Sequence, residues 1–503
     1  MKKYAFIAST FLFVVFLSTN AANAQEQNDT AWPQFRGVNC AGIAQPYQNP
    51  PVELNPEQNL LWKTPAVLGH SSPCIWGDRI FLTGFERDAQ QFQVLCFDRK
   101  TGKILWRRNV PAEQIEKVHQ VSNPATATPA TDGERVFVYF GSYGLLCYDF
   151  SGKELWSMRM PVAETLFNQG SGTSPVLAEE LVILNRDVLN DPYLLAVNRY
   201  SGEIVWKQPQ PPAIRWGATS YSTPMLWEKQ LVIHRLGEIV AYHLQDGSRV
   251  WSVRAATTGT STPVVGAGLL YVGAWSNLGE PDLRPPLPDY GTLIHQYDKN
   301  SDARIDEEEF PDDLLLAQRP QAEDLPGVRK MYMKWFLGLI DQNKDHAIDS
   351  TEWKAALGQI IPWPGEDHGL LAIKPGGKGD VTATHILWQE KTSIPEVPSP
   401  LYYKGRVYIV KDGGIVTCMD AKNGKRLYRE RLGASGPYYS SPIAAQDRIY
   451  IASGKGDLVV FTAGDQFKVL ARNNLGEPIM ATPAIVDHKL YVRTAENLYA
   501  FGK

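Results

Sequence analysis

The chain has 503 residues, 44% hydrophobic and 21% charged, and a formal net charge of −4. These values exclude a disordered or collagen-like polymer, and the length exceeds one ordinary domain unless the fold grows by repeating a module. No Lys/Arg cluster marks a nucleic-acid surface, and no stretch beyond the N-terminus reaches the roughly 18 apolar residues of a membrane span.

Lys2 and Lys3 precede the apolar run FIASTFLFVVFL, which ends in Ala22-Asn23-Ala24. This is the layout of a signal peptide over 1–24, cleaved after Ala24, so a periplasmic or secreted protein is expected. No Cys follows the cleavage point immediately, so no lipid anchor is expected. Residues 25–59 read as a lead-in containing AWPQFRG at 31–37. The Cys residues are Cys40, Cys74, Cys96, Cys147 and Cys418, an odd number without a CxxC or an adjacent pair. That pattern supports neither a disulfide framework nor a zinc site.

From residue 60 one line recurs: CFDRKTGKILW at 96–106, CYDFSGKELW at 147–156, AVNRYSGEIVW at 196–206, AYHLQDGSRVW at 241–251 and CMDAKNGKRLY at 418–428. Each reads as a strand, a turn whose Gly accepts positive φ, and a second strand ending in an aromatic. Two further strands precede each line, opened by Ser/Thr-Pro at Pro73, Pro129, Pro175, Pro224, Pro263, Pro400, Pro442 and Pro483. Pro is tolerated there because the first strand residue gives up no ladder donor. Four strands in each of eight units predict an all-β, eight-bladed propeller. The last unit ends at LYAFGK without its aromatic strand, and NLLWKTPA around Trp62 stands unassigned before the first unit. The N-terminal strand is therefore expected to close the last blade and leave no free edge. The fourth-strand positions Trp62, Trp106, Trp156, Trp206, Trp251, Trp388, Tyr428 and Leu470 are expected to pack between blades. Cys96, Cys147 and Cys418 share a repeat position with Ala196, Ala241, Ala372 and Ala500, and read as small core residues.

These positions recur every 40 to 50 residues except between Trp251 and Trp388, which are 137 apart. The excess, residues 276–368, holds 19 acidic against 9 basic residues, a net of −10. The compositional break marks an insertion between the second and third strands of blade five, dividing the propeller into 60–275 and 369–503. Such loops share a face with the blade-to-blade connections, so the module is expected on the loop face. It carries DKNSDARIDEEE at 298–309 and DQNKDHAIDSTE at 341–352. Both place oxygen donors at positions 1, 3, 5, 9 and 12, the order of a helix–loop–helix calcium loop. The expected ligands are Asp298, Asn300, Asp302, the carbonyl of Arg304, Asp306 and Glu309. In the second loop they are Asp341, Asn343, Asp345, the carbonyl of Ala347, Asp349 and Glu352. Ile305 and Ile348 sit where two such loops pair through a short bridge. Met331, Trp335, Phe336 and Ile340 have the spacing of an entering helix over 328–340. Position 6, usually Gly, is Ala303 or His346, at a strain of about 1 kcal/mol, and Pro311 interrupts the first exit helix. Binding on the order of micromolar to millimolar is expected, as in extracellular calcium modules.

The recurring line resembles the pyrroloquinoline-quinone (PQQ)-type repeat of quinoprotein dehydrogenases and BamB-like propellers, from about residue 60 to the C-terminus outside the insertion. AWPQFRG is similar to the lead-in of exported bacterial propellers of this class, and the two acidic loops resemble an EF-hand pair. For a dehydrogenase the resemblance implies an active-site calcium on the quinone, a catalytic Asp and a vicinal Cys–Cys disulfide. No two Cys are adjacent here, and no haem CxxCH or GxSxG occurs, so neither PQQ nor a catalytic residue is expected. The expectation is an exported calcium-binding propeller acting as a non-catalytic scaffold in envelope or outer-membrane processes. A PQQ-dependent alcohol or sugar dehydrogenase is the alternative. His70, His119, Gln169, Trp216, Tyr221, Tyr438 and Tyr439, on loops before the openers, could line a polar–aromatic surface for a protein or glycan partner.

Overall fold

The computed structural model describes residues 31–211, 219–276, 285–318, 330–360 and 367–502. The signal peptide with its cleavage point, and Trp216, lie outside them. Eight antiparallel sheets of four or five strands make the expected propeller. In blade 1 the strands Cys74–Trp76, Arg79–Glu86, Gln91–Asp98 and Ile104–Val110 pair in sequence order. The inner strands of blades 2 to 8 are Ala130–Thr131, Val176–Ala178, Met225–Trp227, Val264–Gly266, Leu401–Tyr403, Ile443–Ala445 and Ala484–Val486. Leu60–Pro65 pairs with Asn497–Phe501, so the N-terminal strand does complete blade 8. The second and third strands read as continuous apolar runs because neighbouring blades cover both their faces. In Arg79–Glu86, for example, every residue between the two end positions is buried.

Each outer strand reaches the next blade through its aromatic residue. The indole Nε1 of Trp62, Trp106, Trp156, Trp206 and Trp388 donates to Arg99, Phe150, Arg199, Leu244 and Ala421 carbonyls at 2.9 to 3.1 Å. The same rings press on the turn glycine of that blade. A Cβ added to Gly102, Gly152, Gly202, Gly247 or Gly424, at φ of 69 to 81°, would lie 2.6 to 2.7 Å from them. Glycine thus meets two demands there, positive φ and close approach. Opposite the aromatics, Cys96, Cys147, Ala196, Ala241, Ala372, Cys418 and Ala500 supply the small partner across the third and fourth strands. All five cysteines are free and buried. Trp251 departs from the pattern. Gly379–Asp380 pairs in parallel with Trp251–Ser252, and the indole turns back to Gln230 Oε1 of its own blade at 2.9 Å.

The Ser/Thr before each opening proline forms a closed circuit. The amides of Ser72, Thr128, Ser174, Thr223, Thr262, Ser399 and Ser441 each donate to the hydroxyl of the next in this order, and Thr482 returns to Ser72. The distances are 2.9 to 3.2 Å. All eight are buried. One polar ring therefore joins every blade to its neighbour at the start of the inner strands.

The lead-in is internal, which its sequence did not suggest. Ala31–Trp32 adds a fifth strand to the inner edge of blade 1. The Pro33 carbonyl accepts from Thr131 of blade 2, and Asn39 exchanges two 2.8 Å bonds with Leu226 of blade 4. Arg36 reaches Pro400 and Pro442 at the start of blades 6 and 7, and Ala44 and Gly42 bond Ala444. Residues 31–44 therefore lie among the inner strands as a plug. The chain then runs outward over blades 7 and 8, where Tyr450 donates to the Pro50 carbonyl and Asn473 holds Leu54 and Val52.

The chain leaves blade 5 after Leu269–Ala274 and returns at Gly369–Ile373, its second and third strands. The described part of the insertion has its own core of Leu293, Ile305, Phe310, Met333, Phe336, Ile340, Ile348 and Trp353, separate from the blade cores. Trp353 Nε1 donates to the Pro288 carbonyl at 3.0 Å. The helix expected over 328–340 is corrected. Residues 328 and 329 lie outside the described residues; of the rest, Lys330–Tyr332 is a strand paired with Leu315–Gln318, and only Met333–Phe336 and Leu337–Ile340 are helical. The hairpin claims the backbone that a longer helix would need. Among the described residues no helix stands between the first loop and Leu315–Gln318, as Pro311 implies, whereas Ser350–Ile360 follows the second. Among the described residues no helix is long and apolar enough to cross a membrane.

Candidate functional site

The blade-to-blade connections and the insertion share one face. Thr258 N–H, in the connection from blade 4 to blade 5, donates to the Trp275 carbonyl at 2.8 Å. Ala256 N–H donates to the Asp367 carbonyl at 2.6 Å, so both roots of the insertion are tied to that connection.

Within the insertion the two acidic loops adopt one plan. Tyr290–Tyr297, capped by the Asp289 carboxylate on Thr292 N–H, enters the first loop. Asp298 accepts from Ser301 and Ala303 amides at 2.6 and 3.0 Å, and Asp341 accepts from Lys344 and His346 at the same distances. Asn300 and Asn343 each accept from the amide two residues on, at 2.8 Å. Buried Glu309 binds the amides of Lys299 and Asn300 through Oε1 and that of Asp306 through Oε2. Buried Glu352 repeats this on Gln342, Asn343 and Asp349. Ile305 pairs with Ile348 and Asp306 with Ala347, fixing the loops side by side. Tyr290 Oη donates to Ala303 and Ile348 carbonyls at 2.9 and 2.8 Å, one from each loop. Ala303 and His346 take φ of 62° and 66°, the left-handed turn for which position 6 usually uses glycine.

Backbone amides thus hold each carboxylate by part of its acceptor capacity, and ionised carboxylates keep further lone pairs for a cation. Among the described residues no three His, Cys, Asp or Glu side chains form a metal-holding cluster. A calcium shell would therefore draw on Asn300, Asn343 and the carbonyls of Arg304 and Ala347 as well, which matches calcium's preference for six to eight mixed oxygens. The donor set fits that ion in chemistry and order. Arg304 also spans the pair, its guanidinium 2.5 Å from Asp345 Oδ2, one of the second loop's expected ligands.

The residues expected on the channel face divide. Gln169 N–H and Tyr221 Oη both bond the Leu166 carbonyl, at 3.3 and 3.2 Å, so these two are brought together. His119 is exposed. Burial, with the Arg493 and Arg87 charges, pushes the His70 imidazole down to about 4, leaving it neutral. Tyr438 is an internal strut rather than a surface residue, buried and bonded through Oη to the Ala434 carbonyl at 2.8 Å. Tyr439 is half-buried beside it.

Two buried polar groups on this face carry no motif and were missed. Asp187 and Arg235, in the second-to-third-strand regions of blades 3 and 4, form a two-pronged pair at 2.6 and 3.2 Å, extended to Glu238 at 2.7 Å. Glu116 accepts from Ser171 N–H and Oγ at 3.0 and 2.7 Å, and burial pushes its carboxyl up to about 7.

Comparison with known proteins gives a consistent result. The family described as "Outer membrane protein assembly factor BamB" matches residues 90–298 and 337–501. The curated BamB of Yersinia pestis is 20% identical over 438 residues, covering 82% of this chain and 91% of that protein. The crystal structure of BamB from Moraxella catarrhalis superposes with a TM-score of 0.51 at 12% identity, covering 88% and 98% of the two chains. A europium-containing methanol dehydrogenase gives 0.56 at 12% identity, covering 94% and 98%. At these identities the structures share the fold.

Proposed function

The chain belongs to the outer membrane protein assembly factor BamB family, and on that premise we propose that it is an exported, non-catalytic envelope scaffold. In this reading its loop face recognises a protein partner, and calcium holds the inserted module in shape. The observation that carries the proposal is where the repeat is broken. Eight blades follow one plan, and the one long departure is a separately cored module with a net charge of −10, rooted on the loop face. Trp335 and Leu339, four residues apart, stand 59% and 62% exposed on it, as a recognition surface would. The name of the Yersinia pestis relative, an outer membrane protein assembly factor, supports protein partners and an envelope location. The signal peptide read from residues 1–24 supports export.

Calcium would neutralise the clustered carboxylates and lock the helices to the paired loops. The shared hydrogen-bond plan of the loops supports two such sites. Calorimetric titration of calcium into the full chain should show binding that Glu309→Gln and Glu352→Gln together abolish, and undiminished binding in the double variant would refute the metal reading. The scaffold reading is tested by adding PQQ and calcium. No stoichiometric quinone absorbance and no dye-linked alcohol oxidation are expected, whereas bound quinone with turnover would replace the scaffold by a dehydrogenase.

A further inference from the structure

The plug brings surplus hydrogen-bond donors into the centre of the propeller. Arg36 is 0% exposed and makes no ion pair among the described residues. Its Nη2 donates to the Pro400 and Pro442 carbonyls at 2.9 and 3.2 Å, and these prolines follow the ring residues Ser399 and Ser441. Arg36 Nε and Nη1 have no acceptor among the described residues, nor has the buried indole Nε1 of Trp32. Cys40, whose charge could offset the guanidinium, is kept a neutral thiol, since burial pushes it up to about 12. Burial pulls Arg36 down only to about 10, so it stays positive at neutral pH.

The surrounding ring is short of acceptors too. Each of its eight hydroxyls receives an amide N–H, and none donates to a protein acceptor among the described residues. An isolated cation in a low-dielectric interior is costly, and donors without acceptors add to that cost. An anion offsets both.

We propose that the centre of the hydroxyl ring, between Arg36 and the Ser/Thr hydroxyls, binds a small monatomic anion of the halide class. The guanidinium sets the size and shape. Both of its two-pronged edges include Nη2, which is already committed to two carbonyls, so a carboxylate or phosphate cannot be gripped in a fork. The free Nε–H and Nη1–H lie on different edges and diverge, so a spherical acceptor meets one of them alone, here Nε–H, and needs no fork. Gly42 keeps the backbone close. A Cβ there would lie 2.8 Å from Nη2 and 3.2 Å from Nε, against the guanidinium itself. The anion would thereby tie the plug to the blades.

The test uses the full chain with calcium present. In halide-free buffer of fixed ionic strength, replacing a bulky organic sulfonate by bromide should raise the melting temperature in a saturable way. Crystals grown in bromide should show an anomalous peak beside Arg36 Nε. Arg36→Met should lose both effects. Equal melting temperatures in the two salts overturn the proposal, as does a shift that survives in Arg36→Met. A crystal peak without a solution shift means binding at crystal concentration only and also overturns it. Where Arg36→Met does not fold, the wild-type salt comparison decides alone.

Discussion

Replacing Gly102 by Ala separates backbone strain from contact between blades, with Gly77→Ala as the control. Gly102 has φ +71° and an added Cβ would meet the Trp62 ring at 2.6 Å, whereas Gly77, at φ +55°, has nothing within 4 Å. Both variants place a side chain in the left-handed region at about 1 to 2 kcal/mol. Only at Gly102 must the ring move. Trp62 is 9% exposed and donates to the Arg99 carbonyl at 3.0 Å. Displacing it loses a hydrogen bond of about 1 kcal/mol and part of a large aromatic burial, on the order of 2 kcal/mol. Gly102→Ala is therefore expected to cost about 4 to 5 kcal/mol against about 1 to 2 for Gly77→Ala. Urea unfolding midpoints, with calcium held in excess, give the comparison. Limited proteolysis near residue 60 should show the N-terminal strand loosening in Gly102→Ala alone. Losses equal to within about 0.5 kcal/mol would mean that the turn glycines serve the backbone only.

Two further outcomes follow from buried or bridging charges. Arg304→Ala frees the Asp345 carboxylate, so calorimetry should show tighter calcium binding by several-fold in the second loop, and weaker binding there would refute the competition. Glu116 has a native pKa of about 7 against 4.5 for the free group, so the native state holds the proton more firmly. Stability should therefore fall as pH rises from 4.5 towards 7, by on the order of 3 kcal/mol from this group. Glu116→Gln should flatten that slope, and an unchanged difference between midpoints at the two ends of the range would count against it.

The blade plan was legible because it is written in repeats. The Ser/Thr-Pro starts, the turn glycines and the aromatic strand ends recur, so spacing alone counts the blades and finds the strand around Trp62 for blade 8. The use of the Ser/Thr was not legible, since a hydroxyl that accepts from the preceding blade's amide is a contact between residues 39 to 137 positions apart, and 410 apart where Thr482 meets Ser72. The plug was hidden for the same reason. AWPQFRG carries no period, and Arg36 meets Pro442 across 406 positions. The two matching turns around Asp298 and Asp341 were readable because each is formed within one twelve-residue stretch. The helix over 328–340 was misread because apolar spacing cannot reveal that Lys330–Tyr332 would find a strand partner in Leu315–Gln318.

The route of the N-terminal segment also dictates an order of events. Residues 31–65 are synthesised first, yet their partners lie mostly in the last blades. Tyr450 meets Pro50 across 400 positions, and His488 meets Gln48 across 440. Contacts of such separation form late, because nearly the whole chain must be closed into a loop to make them. Until then Leu60–Pro65 is an unpaired strand and Trp32 an uncovered ring, both open to association with other chains. The topology therefore predicts that joining the two ends is the slowest step in folding, and that a factor shielding the first segment would change the yield of folding without altering the finished protein.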